Sequence, residues 1–325
     1  MWLRDKARYD QVDGGLWRVH DKVYDLTPFL DSHPGGSHWL SKTQGQDITD
    51  YYETHHIDTD KTDTILKKYY VADQKVHPPQ PFEYSSDNLY GRIKKKVKEA
   101  MKNEKLSQPT MTMKVFTVAC FAVWFACLMF ILFYNSWLAT LLYAYSLYVM
   151  IGIGHNYSHR NSPWGIAMDV TPYPRHLWQI SHCLSHHNYA NLEMDLEIIS
   201  FEPFMFFLTS QPKHHKAILV CQFALFTIGP FHQFIVQVTD ILSRVERLQL
   251  GHVLFPVQFA LAYWMHGGSG LLTMAAAHII STIFFLLIPF PTHRSQGLWT
   301  EGDGNPTRDF AVHILKTTAD HSEGI

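Results

Sequence analysis

The stretch "VFTVACFAVWFACLMFILFY", residues 115–134, contains twenty residues without a charge. A helix of this length can cross a hydrocarbon core of roughly 30 Å. A second apolar stretch, "WLATLLYAYSLYVMIGIG", follows at 137–154, after Asn135 and Ser136. Together the two stretches predict a helical hairpin that crosses a membrane and returns, and therefore an integral membrane protein.

Further apolar stretches predict the rest of a membrane body. We expect one span near 217–238 and another near 268–290, while 253–265 is ambiguous. The stretch 198–210 is short and interrupted by Glu202, which favours an interfacial segment over a span.

The composition points to metal chemistry and away from nucleic acid. The formal net charge is −2 and only 17% of residues are charged, whereas nucleic-acid-binding domains usually carry a basic surface. The chain contains 21 histidines, and the neutral imidazole is a common ligand of transition metals. We therefore expect no nucleic-acid partner and at least one metal site.

The beginning of the chain predicts a soluble domain. "MWLRDKARYD", residues 1–10, is charged and lacks the apolar core of a signal peptide. Residues 1–75 contain no long apolar stretch, so we expect a small domain that stays in the cytosol. The four cysteines form no C-x-x-C pair, which favours a reducing compartment.

A connecting segment at 76–110 precedes the membrane body, which we assign to 111–325. It begins with the Pro-rich "VHPPQPFEY" (76–84), which we expect to keep the two parts apart, and continues with "LYGRIKKKVKEAMKNEK" (89–105). Apolar residues recur every four positions and give this basic helix one apolar face; they are Leu89, Ile93, Val97 and Met101. Such a helix before a span is typical of the anionic cytosolic membrane surface, in agreement with the positive-inside rule.

A first histidine motif lies in the soluble domain. "DSHPGGSHWL" presents His33 before a proline and two glycines, a tight turn without side-chain bulk that lets the imidazole approach a flat ring. "YYETHHID" later supplies His55 and His56. Two histidines on opposite sides of a haem iron leave no open position, so such an iron carries electrons and does not bind oxygen.

Two more histidine motifs lie in the polar stretch 155–197, which follows the second apolar stretch. "HNYSH" gives His155 and His159, and "HCLSHH" gives His182 and His186, with His187 beside them. Residues four apart on a helix share a face, as paired metal ligands require. An array of five imidazoles is larger than the tetrahedral set of zinc and suits non-haem iron.

The first domain resembles the cytochrome b5 family, through "WRVHDKVYDLTPFLDSHPGG" (17–36) and "GQDITDYYETHHID" (45–58). The resemblance implies a small α+β fold that binds haem b. It also implies His33 and His56 as the axial ligands, with His55 as the alternative to His56.

The spacing H-x-x-x-H followed by H-x-x-x-H-H resembles the first two histidine boxes of membrane fatty acid desaturases. With a cytochrome b5-like module in front, the chain looks like the front-end type and is most similar to the insect cytochrome b5-related proteins. The resemblance implies an all-α integral membrane domain with a non-haem diiron centre. The implied ligands are His155, His159, His182, His186, His187 and His293.

The same resemblance implies the partners and the location. The expected substrate is a fatty acyl chain, as a lipid or acyl-CoA, in a membrane-lipid environment, and the oxidant is O2. NADH-cytochrome b5 reductase is the expected electron source. The location implied is the endoplasmic reticulum membrane, multi-pass, with the haem domain and histidine boxes facing the cytosol.

The chain also departs from the family pattern. Asn156 and Ser158 replace the usual Asp and Gly of the first box, and no third box of the form Q-x-x-H-H is found. His313 stands where a Gln is usual, and we expect His278, inside a span, to be a buried polar contact. Desaturation is the leading expectation. A lipid hydroxylase and a membrane-anchored haem electron carrier with a catalytically incomplete body stay open as alternatives.

Overall fold

The computed structural model describes residues 2–74, 80–101, 109–160, 162–200, 202, 206–210, 218–287, 292–293, 295, 297–304 and 306–319, with the backbone alone at 218–228 and 230. Within these residues, a domain of short elements packs against a body of long helices. Both parts of the predicted fold class are therefore confirmed.

The N-terminal domain contains a three-stranded antiparallel sheet in the order β1-β2-β3. Its strands are β1 (Trp17–Val19), β2 (Lys22–Tyr24) and β3 (Tyr70–Asp73). Its helices are α1 (Trp2–Asp10), α2 (Ser37–Lys42), α3 (Thr49–His55) and α4 (Thr59–Leu66), with 3₁₀ turns at Thr27–Ser32 and Lys67–Tyr69.

Two neighbouring residues of β1 tie the sheet to the helices. Trp17 is fully buried, and its indole N–H donates to the carbonyl of Leu40 in α2 over 3.0 Å. Arg18 is also buried and pairs with Asp47 over 2.7 Å. Removing either partner of such a buried pair leaves an uncompensated charge, which is strongly destabilising.

The basic helix is present as α5 (Leu89–Met101), and the remainder of the predicted stretch lies outside the described residues. Two of its lysines bind the acidic surface of the N-terminal domain. Lys94 pairs with Glu53 and Lys98 with Asp60, both over 2.7 Å. The helix therefore docks on this domain, and a role of its other lysines at the membrane surface stays a prediction.

The predicted hairpin is confirmed as α6 (Met111–Tyr134) and α7 (Trp137–Ser158). At 24 and 22 residues, both helices are long enough to cross a bilayer. Asn135, in the left-handed region with φ 42°, ends α6, and the Ser136 side chain caps α7 by accepting from the N–H of Ala139. Asn and Ser suit these two positions because their short polar side chains satisfy free backbone groups.

The remaining elements follow in chain order. They are a 3₁₀ turn (Pro163–Gly165), α8 (Ile166–Asp169), α9 (Arg175–Trp178), a π-helix (Gln179–His186), α10 (His187–Tyr189), α11 (Leu196–Ile199), α12 (Ile218–Leu242), α13 (Gly251–Leu286) and α14 (Phe310–Thr317).

Helix α13 is long enough to cross a membrane, but it is bent back on itself. Gly267 has φ 59° and ψ −139°, a conformation that glycine adopts without strain. The rings of Phe255 and Phe259, before the bend, lie 4.9 and 5.3 Å from the ring of His278, after it. Phe255 and His278 lie at similar distances along the chain before and after Gly267, and they are neighbours in space. The two arms of α13 therefore run antiparallel.

The bend at Gly267 assigns the stretch 253–265, which the sequence analysis left ambiguous. Residues 253–265 form one arm of α13, and the predicted span 268–290 forms the other up to Leu286, with 288–290 outside the described residues. The span predicted near 217–238 coincides with α12. Of the predicted interfacial segment, only part is described.

The ends of the long helices that face the N-terminal domain come together on one side. The start of α6 contacts the end of α7, where Thr117 Oγ1 lies 3.2 Å from the hydroxyl of Tyr157. The end of α13 reaches the same region, where the rings of Phe285 and Trp178 are 5.6 Å apart. The histidine motifs at the end of α7 and in the π-helix therefore lie on the same side of the bundle as the N-terminal domain.

The expectation that the Pro-rich segment keeps the two parts apart is wrong. A single buried apolar cluster contains Trp17 and Tyr51 of the N-terminal domain together with Leu184 and Tyr189 of the histidine-rich segment. Apolar area shared across the contact makes each part stabilise the other. Proline content predicted a spacer, but it carries no information about which surfaces meet.

Polar contacts fix the relative position of the two parts. The hydroxyl of Tyr189 donates to Asp50 in α3 over 2.9 Å, and the indole N–H of Trp2 donates to the carbonyl of Met194 over 3.1 Å. At another edge, Lys42 pairs with Glu246 over 3.0 Å. Burial raises the pKa of Asp50 to about 6 despite its tyrosine donors.

We predict that Tyr189→Phe lowers the free energy of unfolding by about 1–3 kcal/mol, because the buried Asp50 carboxyl loses one of its two tyrosine donors. The measurement is the thermal unfolding midpoint in detergent by circular dichroism. The matched control is Tyr145→Phe, since Tyr145 is 60% exposed on the outer face of α7. Equal midpoints for the two variants would contradict the shared interface.

Candidate functional site

The turn after His33 brings backbone close to the imidazole. A Cβ atom on Gly35 would lie 2.9 Å from Cε1 of His33, closer than real Cβ atoms approach, and Gly36 has φ 105°. Both positions therefore require glycine. The sequence motif is explained by space at the first glycine and by backbone conformation at the second.

The rings of His33 and His56 are neighbours in the N-terminal domain. Nδ1 of His33 lies 3.0 Å from the carbonyl of Gly36, and Nδ1 of His56 lies 2.9 Å from the carbonyl of Tyr52. These bonds orient both rings and leave Nε2 free on each, the usual arrangement for a metal-binding histidine. Burial lowers the pKa of His56, which favours the neutral ligand form.

The spacing of the two rings fits a shared iron. Their centroids are 6.3 Å apart. Imidazole nitrogens bind metals at about 2.0–2.1 Å, so two rings on opposite sides of one ion have centres about 6 Å apart. His55 also turns Nδ1 toward a backbone carbonyl, that of Tyr51 at 3.1 Å, but its side chain is exposed. The geometry therefore favours His56 over His55.

Four histidines from the two boxes converge at the end of α7. The ligand-capable atoms of His155, His159, His182 and His187 all lie within 4.8 Å of one another. Nε2 of His182 lies 2.8 Å from Nε2 of His155 and 2.9 Å from Nε2 of His187. Imidazole nitrogens aimed at a common point are the donor set of a transition-metal site.

The second box is held on a π-helix, which the spacing argument did not predict. In an α-helix, His182 would share a face with His186 but not with His187. A π-helix pairs residues five apart and often marks a functional site. Here the ring of His182 lies 4.3 Å from that of His187 and 5.6 Å from that of His186, centre to centre. The wider turn of the π-helix thus brings His182 close to both His186 and His187.

A second cluster lies beside the first. His186 is buried, and its Nε2 lies 3.2 Å from Nε2 of His293, which comes from the segment after α13. His182, His186 and Glu197 also have ligand-capable atoms within 4.8 Å of one another. His182 belongs to both clusters, so two neighbouring metal ions could share this surface.

Two carboxylates orient these rings, and the sequence analysis gave neither a role. Nδ1 of His182 lies 2.6 Å from Glu197, and Nδ1 of His186 lies 2.9 Å from Asp195. A carboxylate on the second ring nitrogen fixes the tautomer and raises the basicity of a metal-bound histidine. Their position directly after the second box, in "NLEMDLE", was the available signal.

Three histidines of the first cluster lie outside the membrane-spanning helices and are held in the neutral form; they are His159, His182 and His187. Burial, with a smaller contribution from His155, lowers the pKa of His159 to about 4. Burial and neighbouring imidazoles lower the pKa values of His182 and His187 far below their usual range. Neutral imidazole is the form that binds metal.

A cavity of about 800 Å³ opens beside the clusters, within the range typical of ligand sites. Polar groups line one part of it; they are His155, His182, His186, His187, His293 and Glu197. Apolar residues line the other part and include Phe116, Ile153, Leu177, Phe285 and Ile314. The cavity therefore offers an apolar chain a place directly against the convergent imidazoles.

Two other singled-out histidines lie elsewhere. His313 is buried in α14, with Nε2 2.8 Å from the carbonyl of Ala190 and its ring against Phe82. His278 is fully buried and packs against Phe259, but neither of its ring nitrogens has a hydrogen-bond partner among the described residues, so the contact is aromatic and the expected polar one is not found. Neither belongs to the histidine clusters formed by the described residues.

Comparison with known proteins identifies the N-terminal domain. Residues 4–75 match the family model of the cytochrome b5-like Heme/Steroid binding domain. A cytochrome b5-related protein of Drosophila virilis is 39% identical over 103 residues, which cover 31% of this chain and 69% of that protein.

Other relatives extend the similarity to the membrane body. A cytochrome b5-related protein of Drosophila melanogaster is 27% identical across 99% of this chain and 76% of its own length. The probable Delta(5) fatty acid desaturase C of Dictyostelium discoideum is 24% identical across 98% of this chain and 79% of its own length. No solved structure matches significantly. This chain belongs to the cytochrome b5-related proteins and is homologous to the front-end fatty acid desaturases over nearly its whole length.

Proposed function

We propose that this chain is an iron-dependent, O2-using fatty acyl desaturase with its own haem electron donor. The observation that carries the proposal is the convergence of histidines from α7, the π-helix and the segment after α13 on the rim of an apolar cavity. Homology to desaturases supports the same reaction class.

The proposed ligands of a non-haem diiron centre are His155, His159, His182, His186, His187 and His293. Iron bound there supplies the O2-dependent oxidation that introduces a double bond into an unactivated acyl chain. Glu197 fits either as a further ligand or as the acceptor for His182, because it lies against both clusters. Asp195, fully buried, holds His186 in place.

The cavity walls position the acyl chain and exclude water. Phe116 and Ile153 belong to the transmembrane helices, while Leu177 lies in α9, so the apolar part extends from the bundle to the clusters. An apolar chain in such a site loses contact with water, which favours binding. The polar groups at the rim then determine which carbons lie next to the metals.

Electrons are proposed to enter through haem b held by His33 and His56. Haem b held by these two histidines would supply single-electron transfer and would leave O2 to the non-haem centre. NADH-cytochrome b5 reductase is the proposed electron source. We propose the endoplasmic reticulum membrane as the location, as the resemblance implies. We also propose that both centres face the cytosol, because the basic α5 precedes the first span and docks on the N-terminal domain.

The proposal is tested by expressing the chain in yeast and analysing total fatty acids by mass spectrometry. We expect a new unsaturated acyl chain that disappears with His182→Ala, because His182 belongs to both clusters. A hydroxylated product that disappears in the same way would assign a lipid hydroxylase. No new product, with haem intact and all common acyl classes supplied, would favour a haem electron carrier.

We predict that His56→Ala abolishes the absorbance of six-coordinate haem, because one axial ligand is lost. His55→Ala is the matched control and should retain that absorbance, since His55 is exposed and it is the ring of His56 that lies 6.3 Å from the ring of His33. The measurement is the visible spectrum of each purified variant. Retention of the six-coordinate spectrum by His56→Ala, with its loss in His55→Ala, would reverse the assignment.

We predict that His186→Ala weakens non-haem iron binding while the haem spectrum is unchanged. Loss of a residue that only orients a ligand costs about 10–100-fold in metal affinity, and loss of a ligand should cost at least as much. Iron is measured by a ferrous chelator after haem is quantified. His232→Ala, on an exposed position of α12, is the control. Normal iron in His186→Ala would contradict the ligand set.

A further inference from the structure

Helix α3 links the haem pocket to the second histidine box. The residue after its last turn is His56, the proposed haem ligand. Near its end, the hydroxyl of Thr54 donates to Oδ1 of Asn188 over 3.0 Å. Asn188 directly follows His187, a proposed metal ligand. The Thr54–Asn188 hydrogen bond therefore joins the backbone that leads to His56 with the backbone that leads to His187.

The orientation of Asn188 is fixed by its own backbone contacts. It is almost fully buried, and its Nδ2 donates to the carbonyls of Cys183 and Leu184 over 3.1 and 3.2 Å. These contacts leave Oδ1 as the atom that faces Thr54. Two neighbours of Thr54 on its own helix share the same hydroxyl, since Thr54 Oγ1 also lies 2.7 Å from the carbonyl of Asp50 and 2.9 Å from Nδ1 of His55.

The other described contacts between the two parts offer longer routes. Asp50 accepts from Tyr189, but it lies six residues before His56 along the chain, whereas Thr54 lies two before it. The contact of Lys42 with Glu246 joins residues that belong to neither centre. Thr54 and Asn188 thus lie closer along the chain to proposed ligands than the residues of these contacts do, two residues from His56 and one from His187.

We propose that the Thr54–Asn188 hydrogen bond is the contact through which electrons pass from the haem to the histidine cluster; this inference depends on the proposed function. In each transfer, the haem iron goes from ferrous to ferric and a non-haem iron goes from ferric to ferrous. No bond is broken. Thr54 and Asn188 act as positioning residues, because they touch neither metal directly and couple the ligands His56 and His187.

The test is the rate at which the pre-reduced haem is oxidised, followed by stopped-flow absorbance in detergent, with ferric non-haem iron loaded and O2 excluded. We expect Thr54→Val to slow this oxidation several-fold, because a methyl group replaces the hydroxyl at similar volume. Thr54→Ser should restore a rate near that of the unaltered chain. Thr64→Val is the matched control, since the Thr64 hydroxyl donates to Asp60 within α4, away from the contact.

Further readouts separate coupling from folding. Haem content, haem reduction potential and bound non-haem iron should be the same in Thr54→Val as in the unaltered chain. In the haem-loaded chain without other iron, Thr54→Val should increase amide hydrogen exchange around 186–190, because the link is lost. A fall in haem or iron content would overturn the inference, since the residue would then hold the fold.

The inference and the proposed function fail in different ways. If the unaltered chain oxidises its haem equally fast with and without non-haem iron, the cluster accepts no electrons and both are overturned. If oxidation depends on iron but Thr54→Val matches the unaltered chain, or Thr54→Ser is as slow as Thr54→Val, only the inference is overturned. Iron-dependent oxidation that is slowed in Thr54→Val and restored in Thr54→Ser supports both.

Discussion

The buried carboxylate of Asp195 is the interaction on which the histidine clusters depend. It contacts Nδ1 of His186 at 2.9 Å and accepts from the backbone N–H groups of Asn191 and Glu197, both at 3.0 Å. Ser185 closes the same loop, because its hydroxyl donates to the carbonyl of Met194 over 2.6 Å. These bonds fold the chain after the second box back onto the π-helix, so that Glu197 contacts Nδ1 of His182 and Asp195 contacts Nδ1 of His186.

The same loop carries the contact with the N-terminal domain. Tyr189, between the π-helix and Asp195, lies in the shared apolar cluster and donates to Asp50. The residues that orient the metal ligands are therefore continuous with those that dock the haem domain.

Regular periodicity made much of the architecture predictable. The charge-free stretches predicted α6 and α7, and the four-residue spacing of His155 and His159 placed both on one helical face, where their Nε2 atoms lie 3.5 Å apart. The glycines after His33 were also informative, because few residues tolerate both the space and the backbone conformation found there.

Other features depend on contacts that periodicity does not encode. The π-helix inserts one residue per turn into an otherwise α-helical pattern, so His187 joins His182 without any change in composition. The bend at Gly267 falls between the two stretches that the apolar pattern separated, 253–265 and 268–290, but that pattern did not show that the two arms pack against each other. Asp195 and Glu197 resembled surface acids, and their role follows only from the fold of the loop. The docking of the two parts depends on the shapes of both surfaces, which a Pro-rich segment between them does not reveal.

The central claim is that one chain holds both a haem and a non-haem diiron centre on the same side of a membrane bundle. The most direct measurement is the content of haem and of non-haem iron per polypeptide in the purified chain in detergent, after reconstitution with both. The account predicts one haem and about two non-haem irons. One haem with no non-haem iron above background would contradict it and leave the chain as a haem electron carrier.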